Sequence, residues 1–430
     1  MATSTIETRQ TCSKTTLDSG IRVITSEMPH TQSVTICIFV GVGSRNETDE
    51  QSGISHFVEH MVFKGTHRRP TPKDVSGVIE GVGGILNAET DHEYTGYWCR
   101  VPRPDFKESL DLLVDMLRDS RLDSADVEKE RGVVIEELGM VRDNPEYKVE
   151  ALIDEMLWPS HPLGREVGGT RETVSAFTRE AVQEYMARYY TASNIVLSVA
   201  GNVTHDEVLR EASRLLAGWP NGKPPHWTPF KGTQSAPAVR VAYRKTEQVY
   251  ISLAMPGIHL THPDRYNFDI LSVIMGEGTS SRLFLEVRER LGLAYDVHSG
   301  VTHFRDCGAF FVNAGVAPKK VADSVEAIMG QVAKAKELVP DDELEMAKRL
   351  TTGRLMLRME DTRAVSHWFG AQELLMGEVH EASEVARNVK AVTSEGVQRI
   401  AKELLRPDGL NLAVVGPCRS NRRLERIVTL

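Results

Sequence analysis

A proline- and glycine-rich stretch from Gly218 to Pro237 breaks the 430-residue chain close to its midpoint. No regular helix or strand runs through such text, because proline lacks a backbone donor and glycine is entropically costly to order. The break predicts two domains, 1–220 and 239–430, joined by a linker over 221–238. The halves on either side repeat each other weakly, as a duplicated unit does. Ser33 to Val42 reads as a strand followed by a helix from Ile54 to Phe63, and Val249 to Met255 with Asn267 to Met275 take those places in the second half. Tyr97 to Pro102 followed by amphipathic Phe106 to Leu117 parallels Phe310 to Val316 followed by Val321 to Val332. The ends match best: helix Val182 to Tyr190 leads into strand Ile195 to Ala200, and helix Val397 to Leu405 into Leu412 to Val415. Strands mixed with long helices in both halves predict an α/β (α+β) protein of two similar domains, each a mixed sheet covered by helices.

Composition narrows the class of function. Hydrophobic residues at 41% and charged residues at 26% are ordinary globular values, which excludes disordered and collagen-like chains. The net charge of −9 argues against nucleic acid as the main partner, since phosphate neutralisation needs a basic excess or a basic face. The longest apolar runs, Val34 to Val42 and Ile195 to Gly201, fall far short of the roughly 20 residues that span a bilayer, so no membrane insertion is expected. The opening text carries Glu7 and no apolar segment, unlike a secretory leader, and a cytoplasmic setting is expected. Cys12, Cys37, Cys99, Cys307 and Cys418 are scattered without a paired spacing and read as free thiols.

The chemistry concentrates in Gly53-Ile-Ser-His56-Phe-Val-Glu59-His60-Met61. Ile54, Phe57, Val58 and Met61 recur at helical spacing with Ser52 as the expected N-cap, which sets His56 and His60 one turn apart on one face. Two imidazoles at i and i+4 can share a metal ion, and Glu59 at the rim of that face can take a proton from water beside it. The ordinary alternative is a pair of helix-surface histidines.

A hydrolytic zinc site commonly has three protein ligands, and two histidines are often completed by a carboxylate. Ser124 to Val141 reads as a helix with Glu130, Val133, Val134, Glu137 and Val141 on one face. Carboxylates among valines are costly unless paired or metal-bound. The face therefore favours Glu137 as ligand and Glu130 as its neighbour behind the ligands, with Glu136 an ordinary solvated charge; a helix-dipole or surface role is the alternative for Glu130 and Glu137.

The His-x-x-Glu-His order followed by Glu130-Arg131-Gly-Val-Val-Ile-Glu136-Glu137 resembles the inverted-zincin peptidases that include pitrilysin, insulin-degrading enzyme and the mitochondrial processing peptidase. Further text resembles that family: Gly41 to Glu47 ahead of the motif, Phe63 to Thr66 after it, Gly83 to Thr90, Gly276 to Phe284, and Arg288 to Tyr295. The resemblance implies Zn²⁺ held by His56, His60 and Glu137, with Glu59 as general base and then proton donor. It implies a substrate-binding strand through Asn87 and Ala88. It also implies that Arg288 and Tyr295 reach an active site from the opposite half of a clamshell, of which this chain forms half, so that a homodimer completes two sites. Read from residues alone, Asn87 and Ala88 fit either an edge strand or a peptide-binding one, and Arg288 and Tyr295, two helical turns apart if a helix continues through both, fit a surface arginine and a half-buried tyrosine.

The expected activity is thus a zinc endopeptidase that hydrolyses unfolded peptides or flexible protein segments inside a dimeric chamber. The rival expectation is a non-catalytic structural or partner-binding subunit, of the kind the family supplies to peptidase heterodimers and respiratory complexes. Lys64 and His67-Arg68-Arg69 read as a solvated basic loop. The text around Trp158 and His367-Trp368-Phe369 reads as core.

Overall fold

The computed structural model describes residues 12–223, 225–232, 234–418 and 422–428. Residues 1–11, on which the leader expectation rests, and positions 224 and 233 of the expected linker lie outside the described residues. Among the described residues, two sheets account for the strands. The first joins β1 (Cys12–Thr16), β2 (Arg22–Glu27), β3 (Ser33–Val40), β4 (Ile85–Thr90), β5 (Thr95–Pro102) and β6 (Ile195–Gly201) in the order β1-β2-β6-β3-β5-β4. The second joins β7 (Ala238–Tyr243), β8 (Val249–Pro256), β9 (Ala294–His303), β10 (Gly308–Val316) and β11 (Asn411–Gly416) in the order β7-β11-β8-β10-β9. Dropping β1 makes the two orders equivalent strand for strand. Each sheet has one parallel pair, β2 with β6 and β7 with β11, and its other pairs are antiparallel. The duplication read from the chain is therefore a repeat of topology.

The helices that matter for the site and the sheets are α1 (Ile54–Met61), α2 (Phe106–Arg118), α3 (Ser124–Asp143), α4 (Pro145–Leu157), α5 (Arg265–Gly276) and α6 (Thr362–Met376). The compact units are not simply the two halves of the chain. The first comprises 1–138, 166–228 and 355–385, and the second 139–165, 229–354 and 386–430. In the first unit α6, which comes from the second half of the sequence, packs on β6 and β3; in the second unit α4, from the first half, packs on β11 and β8. Those strand pairs are topological equivalents, so each unit closes its sheet with the counterpart helix of the other half.

Burial explains the exchange. Every residue of β6 is buried, and β3 is buried after Ser33, so both faces of the first sheet need a cover. One face meets Phe57, Val58, Leu110 and Leu113 of α1 and α2. The other face, with Ile24, Cys37, Phe39 and Val196, meets Val365 and Phe369 of α6. Phe369 belongs to the core as expected, and so does Trp158, packed on Phe304 in the second unit. No helix among the described residues is long and apolar enough to cross a membrane.

Candidate metal centre

Helix α1 starts at a point where three glycines allow close approach. Gly53 and Gly169 adopt left-handed φ of 94° and 78°. A Cβ on Gly53 would lie 2.4 Å from the Gly168 carbonyl oxygen, and one on Gly169 2.2 Å from that of Ser52. The loop therefore lies directly on the start of α1, and a Cβ on Gly168 would come within 3.8 Å of His56 Nδ1. The expected cap at Ser52 is corrected by the structure: Gly53 is the N-cap and has no side chain to offer. The buried Glu47 carboxylate does that work from outside the helix, accepting from the backbone N–H groups of Gly53 and Ser55 at 2.8 Å each.

The imidazoles of His56 and His60 stand with ring centroids 4.6 Å apart. Glu137 on α3 reaches both, with carboxylate oxygens 3.8 Å from His56 Nε2 and 3.4 Å from His60 Nε2. Ligands arranged tetrahedrally at about 2.0–2.1 Å from zinc lie roughly 3.3 Å from one another. The spacing thus fits a metal with little movement. Among the described residues these three form the one group of histidine, cysteine or acidic side chains arranged to hold an ion.

Glu130 is buried and accepts a hydrogen bond from His60 Nδ1 at 2.8 Å, which directs Nε2 of that ring toward Glu137. The other Glu130 oxygen pairs with Lys64 Nζ at 2.6 Å. Lys64 is therefore part of the site's support, correcting its reading as a solvated loop charge. Arg68 and Arg69 are likewise tied to Asp111 and Asp115 of α2. On α3 the buried stripe is Val127, Glu130, Val134 and Leu138, while Val133 is 45% exposed, contrary to the expected face. At 100° per residue Val133 falls about 100° from the centre of that stripe and Glu137 falls at its rim. Glu136 is exposed, on the opposite side.

The charges differ in kind. Burial and the neighbouring His60 lower the His56 pKa to about 4, so this ring is neutral near pH 7. Burial also acts to lower that of His60, but the hydrogen bond to Glu130 and the charges of Glu137, Glu130 and Glu59 outweigh it and raise the value. Burial raises the pKa of Glu59, although the hydrogen bond that Thr90 Oγ1 donates to it opposes the rise. Among the described residues, His56 Nδ1 has no hydrogen-bond partner although it is buried. The sequence reading named the segments that hold Glu47, Lys64 and Thr90 without seeing their contacts at the site, and it missed Gly168-Gly169. The Gly-Gly pair was a visible local signal, whereas the partnerships of Glu47 and Thr90 depend on which elements meet.

Residues 22–171 match the model described as Insulinase (Peptidase family M16), and residues 176–351 match that of the Peptidase M16 inactive domain. A protein of Streptomyces coelicolor named an uncharacterized zinc protease is 36% identical over 421 residues, covering 96% of this chain and 91% of its own length. The chain belongs to the M16 peptidase family. A Bacillus subtilis relative, also named an uncharacterized zinc protease, is 33% identical over 404 residues, covering 94% of this chain and 97% of its own length. Among solved structures, a Helicobacter pylori protease superposes with a TM-score of 0.89 at 22% identity, covering 95% of this chain and 100% of that one. A Pseudomonas fluorescens peptidase M16 inactive domain gives 0.87 at 19% identity, covering 95% and 99%. These structural likenesses carry the two-domain M16 fold.

Both histidines, Glu59, Glu130 and Glu137 fall within the first M16 match, as do Asn87 and Ala88, which lie on β4 at the open end of the first sheet. Arg288 and Tyr295 fall within the second. They are not two turns apart on one helix: Arg288 lies in a π-helical segment, Phe284–Arg290, and Tyr295 follows it in β9. The Arg288 guanidinium lies 5.3 Å from the centre of the Tyr295 ring, which is 74% exposed.

Proposed function

We propose that this M16 chain is a zinc-dependent endopeptidase acting on unfolded peptides or flexible protein segments. The observation that carries the reading is the convergence of His56, His60 and Glu137, with Glu59 beside them and Glu130 behind His60. When bound there, zinc supplies Lewis-acid polarisation of the scissile carbonyl and makes the attacking water more acidic. Glu59 accepts the proton of that water and later delivers it to the leaving amine. Burial brings this carboxylate closer to the protonation range that such a shuttle needs.

The substrate must be extended. Among the described residues, strand β4 has β5 on one side and no strand on the other, so a peptide at Asn87 and Ala88 gains main-chain hydrogen bonds by adding as a further strand. Folded segments, whose backbone groups are already paired, gain nothing there. Arg288 and Tyr295 of a second copy bind the peptide and steady the oxyanion in this proposal, making a homodimer that encloses two sites. Free cysteines suit the proposed cytoplasmic setting. The rival reading, a non-catalytic subunit, requires no metal residues, yet here all of them converge. Elemental analysis together with mass-spectrometric reading of cleavage in an unstructured peptide mixture tests the proposal. The expected result is about one zinc per chain and cleavage abolished by chelation; active protein without stoichiometric metal overturns it.

A further inference from the structure

Thr90 is the last residue of β4, and its hydroxyl donates to Glu59 Oε2. Nothing in the metal set requires that contact, since Glu59 is not among the three converging ligands. Its effect is to engage one oxygen of the carboxylate and leave Oε1 as the free proton acceptor. A glutamate carboxylate, on three rotatable bonds, has no fixed aim by itself, and a proton shuttle depends on hydrogen-bond reach and direction.

The strand that holds Glu59 is also the strand with an open edge. The Ala88 N–H is exposed and donates to the Asn87 carboxamide oxygen at 2.8 Å. That donor therefore points away from β5, and a side-chain oxygen occupies the place an added strand's carbonyl would take. Main-chain groups alternate along an antiparallel strand, so Thr90 presents its own N–H and C=O on the same free side as Ala88. Its side chain meanwhile lies on the α1 face with Leu86 and Ala88, which pack on the α1 core. On the opposite face, Glu89 is held by His367 Nε2 at 3.0 Å and Arg363 at 3.5 Å, both from α6. The end of β4 is fastened from both sides, and Thr90 joins its free edge to Glu59.

We propose that Thr90 is a positioning residue: it aims Glu59 from the strand on which the peptide docks, so that one residue sets both the register of the substrate and the direction of the base. This rests on the peptidase reading above. The test compares Thr90→Val, which keeps the shape and removes the donor, with Thr90→Ser, which keeps the donor. Full-length zinc-loaded protein is assayed on an internally quenched unstructured peptide, with zinc content and thermal unfolding measured in parallel.

Thr90→Val should keep its zinc and melting temperature while kcat falls roughly 10- to 100-fold, with KM changed by less than about twofold. Thr90→Ser should keep more than about half of the wild-type kcat. If Val does not fold at this position, Thr90→Ala is read by the same criteria. Wild-type kcat in the Val variant, an equal loss in the Ser variant, or a change confined to KM overturns the assignment. A wild-type chain that binds zinc and cleaves nothing overturns the peptidase reading itself, and is recognised because wild type and variants then share the same blank.

Discussion

Around His56 and His60, neighbouring glutamates sit in environments different enough to separate their tasks. Glu137 reaches both imidazoles, Glu59 is instead held by the Thr90 hydroxyl, and Glu136 is exposed on the far side of α3. Glu59→Gln should keep about one zinc per chain and lose nearly all turnover, since it removes a proton acceptor without removing a ligand. Glu137→Gln should lose zinc, and Glu136→Gln should do little; zinc lost from Glu136→Gln alone would place the ligand one residue earlier. Glu130 and Lys64 act through His60. Glu130→Gln should weaken zinc binding roughly 10- to 100-fold in a chelator competition, because the ring loses the carboxylate that directs it. Lys64→Met should shift affinity in the same direction by less, as it leaves the Glu130–His60 bond in place; unchanged affinity in both variants would dismiss this support.

At the scale of elements, α1 depends on a cap borrowed from an upstream segment. Glu47→Ala leaves the Gly53 and Ser55 donors buried without an acceptor, and should cost about 1–3 kcal/mol in urea unfolding. A loss within experimental error would show that water replaces the cap. Helix α4 carries the opposite kind of strain. Burial, with Glu150 adding, pushes the Asp154 carboxyl up to about 7, against about 3.9 for a free aspartate. The folded state then holds this proton more tightly than the unfolded one. Its stabilising contribution is complete below about pH 4 and is lost as pH rises through about 7. Asp154→Asn should therefore unfold at higher urea than wild type at pH 8, by at least about 1 kcal/mol, and show no such advantage at pH 4. Equal gains at both pH values would point to packing and not to charge.

At the scale of the whole molecule, the proposal assigns the metal residues and the Arg288–Tyr295 pair of one site to different copies. Arg288→Ala and Glu59→Gln chains should each be nearly inactive alone. A mixed dimer has one site in which the zinc helix of the first meets the intact Arg288 of the second, and another with both defects. Random exchange makes about half of the dimers mixed, so activity should recover to roughly a quarter of wild type. Exchange shown by native mass without recovery would mean that sites are completed within one chain, or that Arg288 takes no part in turnover.

Much of the local structure around the site was legible in the chain. Periodicity located α1 and α3 because each must bury an apolar stripe, and the i, i+4 spacing put His56 and His60 on one face of α1 wherever that helix packs. The same arithmetic favoured Glu137 over Glu136, since neighbours on a helix diverge by about 100°. The repeat of strand and helix text announced two similar sheets. Contacts between separate segments were not legible in this way. Glu47 reaches α1 from an upstream loop, Lys64 and His60 share Glu130, and Thr90 meets Glu59 from the edge strand. The exchange of α4 and α6 between units is of the same kind, because an amphipathic helix advertises that it needs an apolar face but not which of two equivalent sheets provides it. Local propensity acts over a few residues, whereas, apart from the Glu47 cap, which turns back over 6 to 8 residues, these contacts join positions tens to hundreds of residues apart, and only packing selects among them.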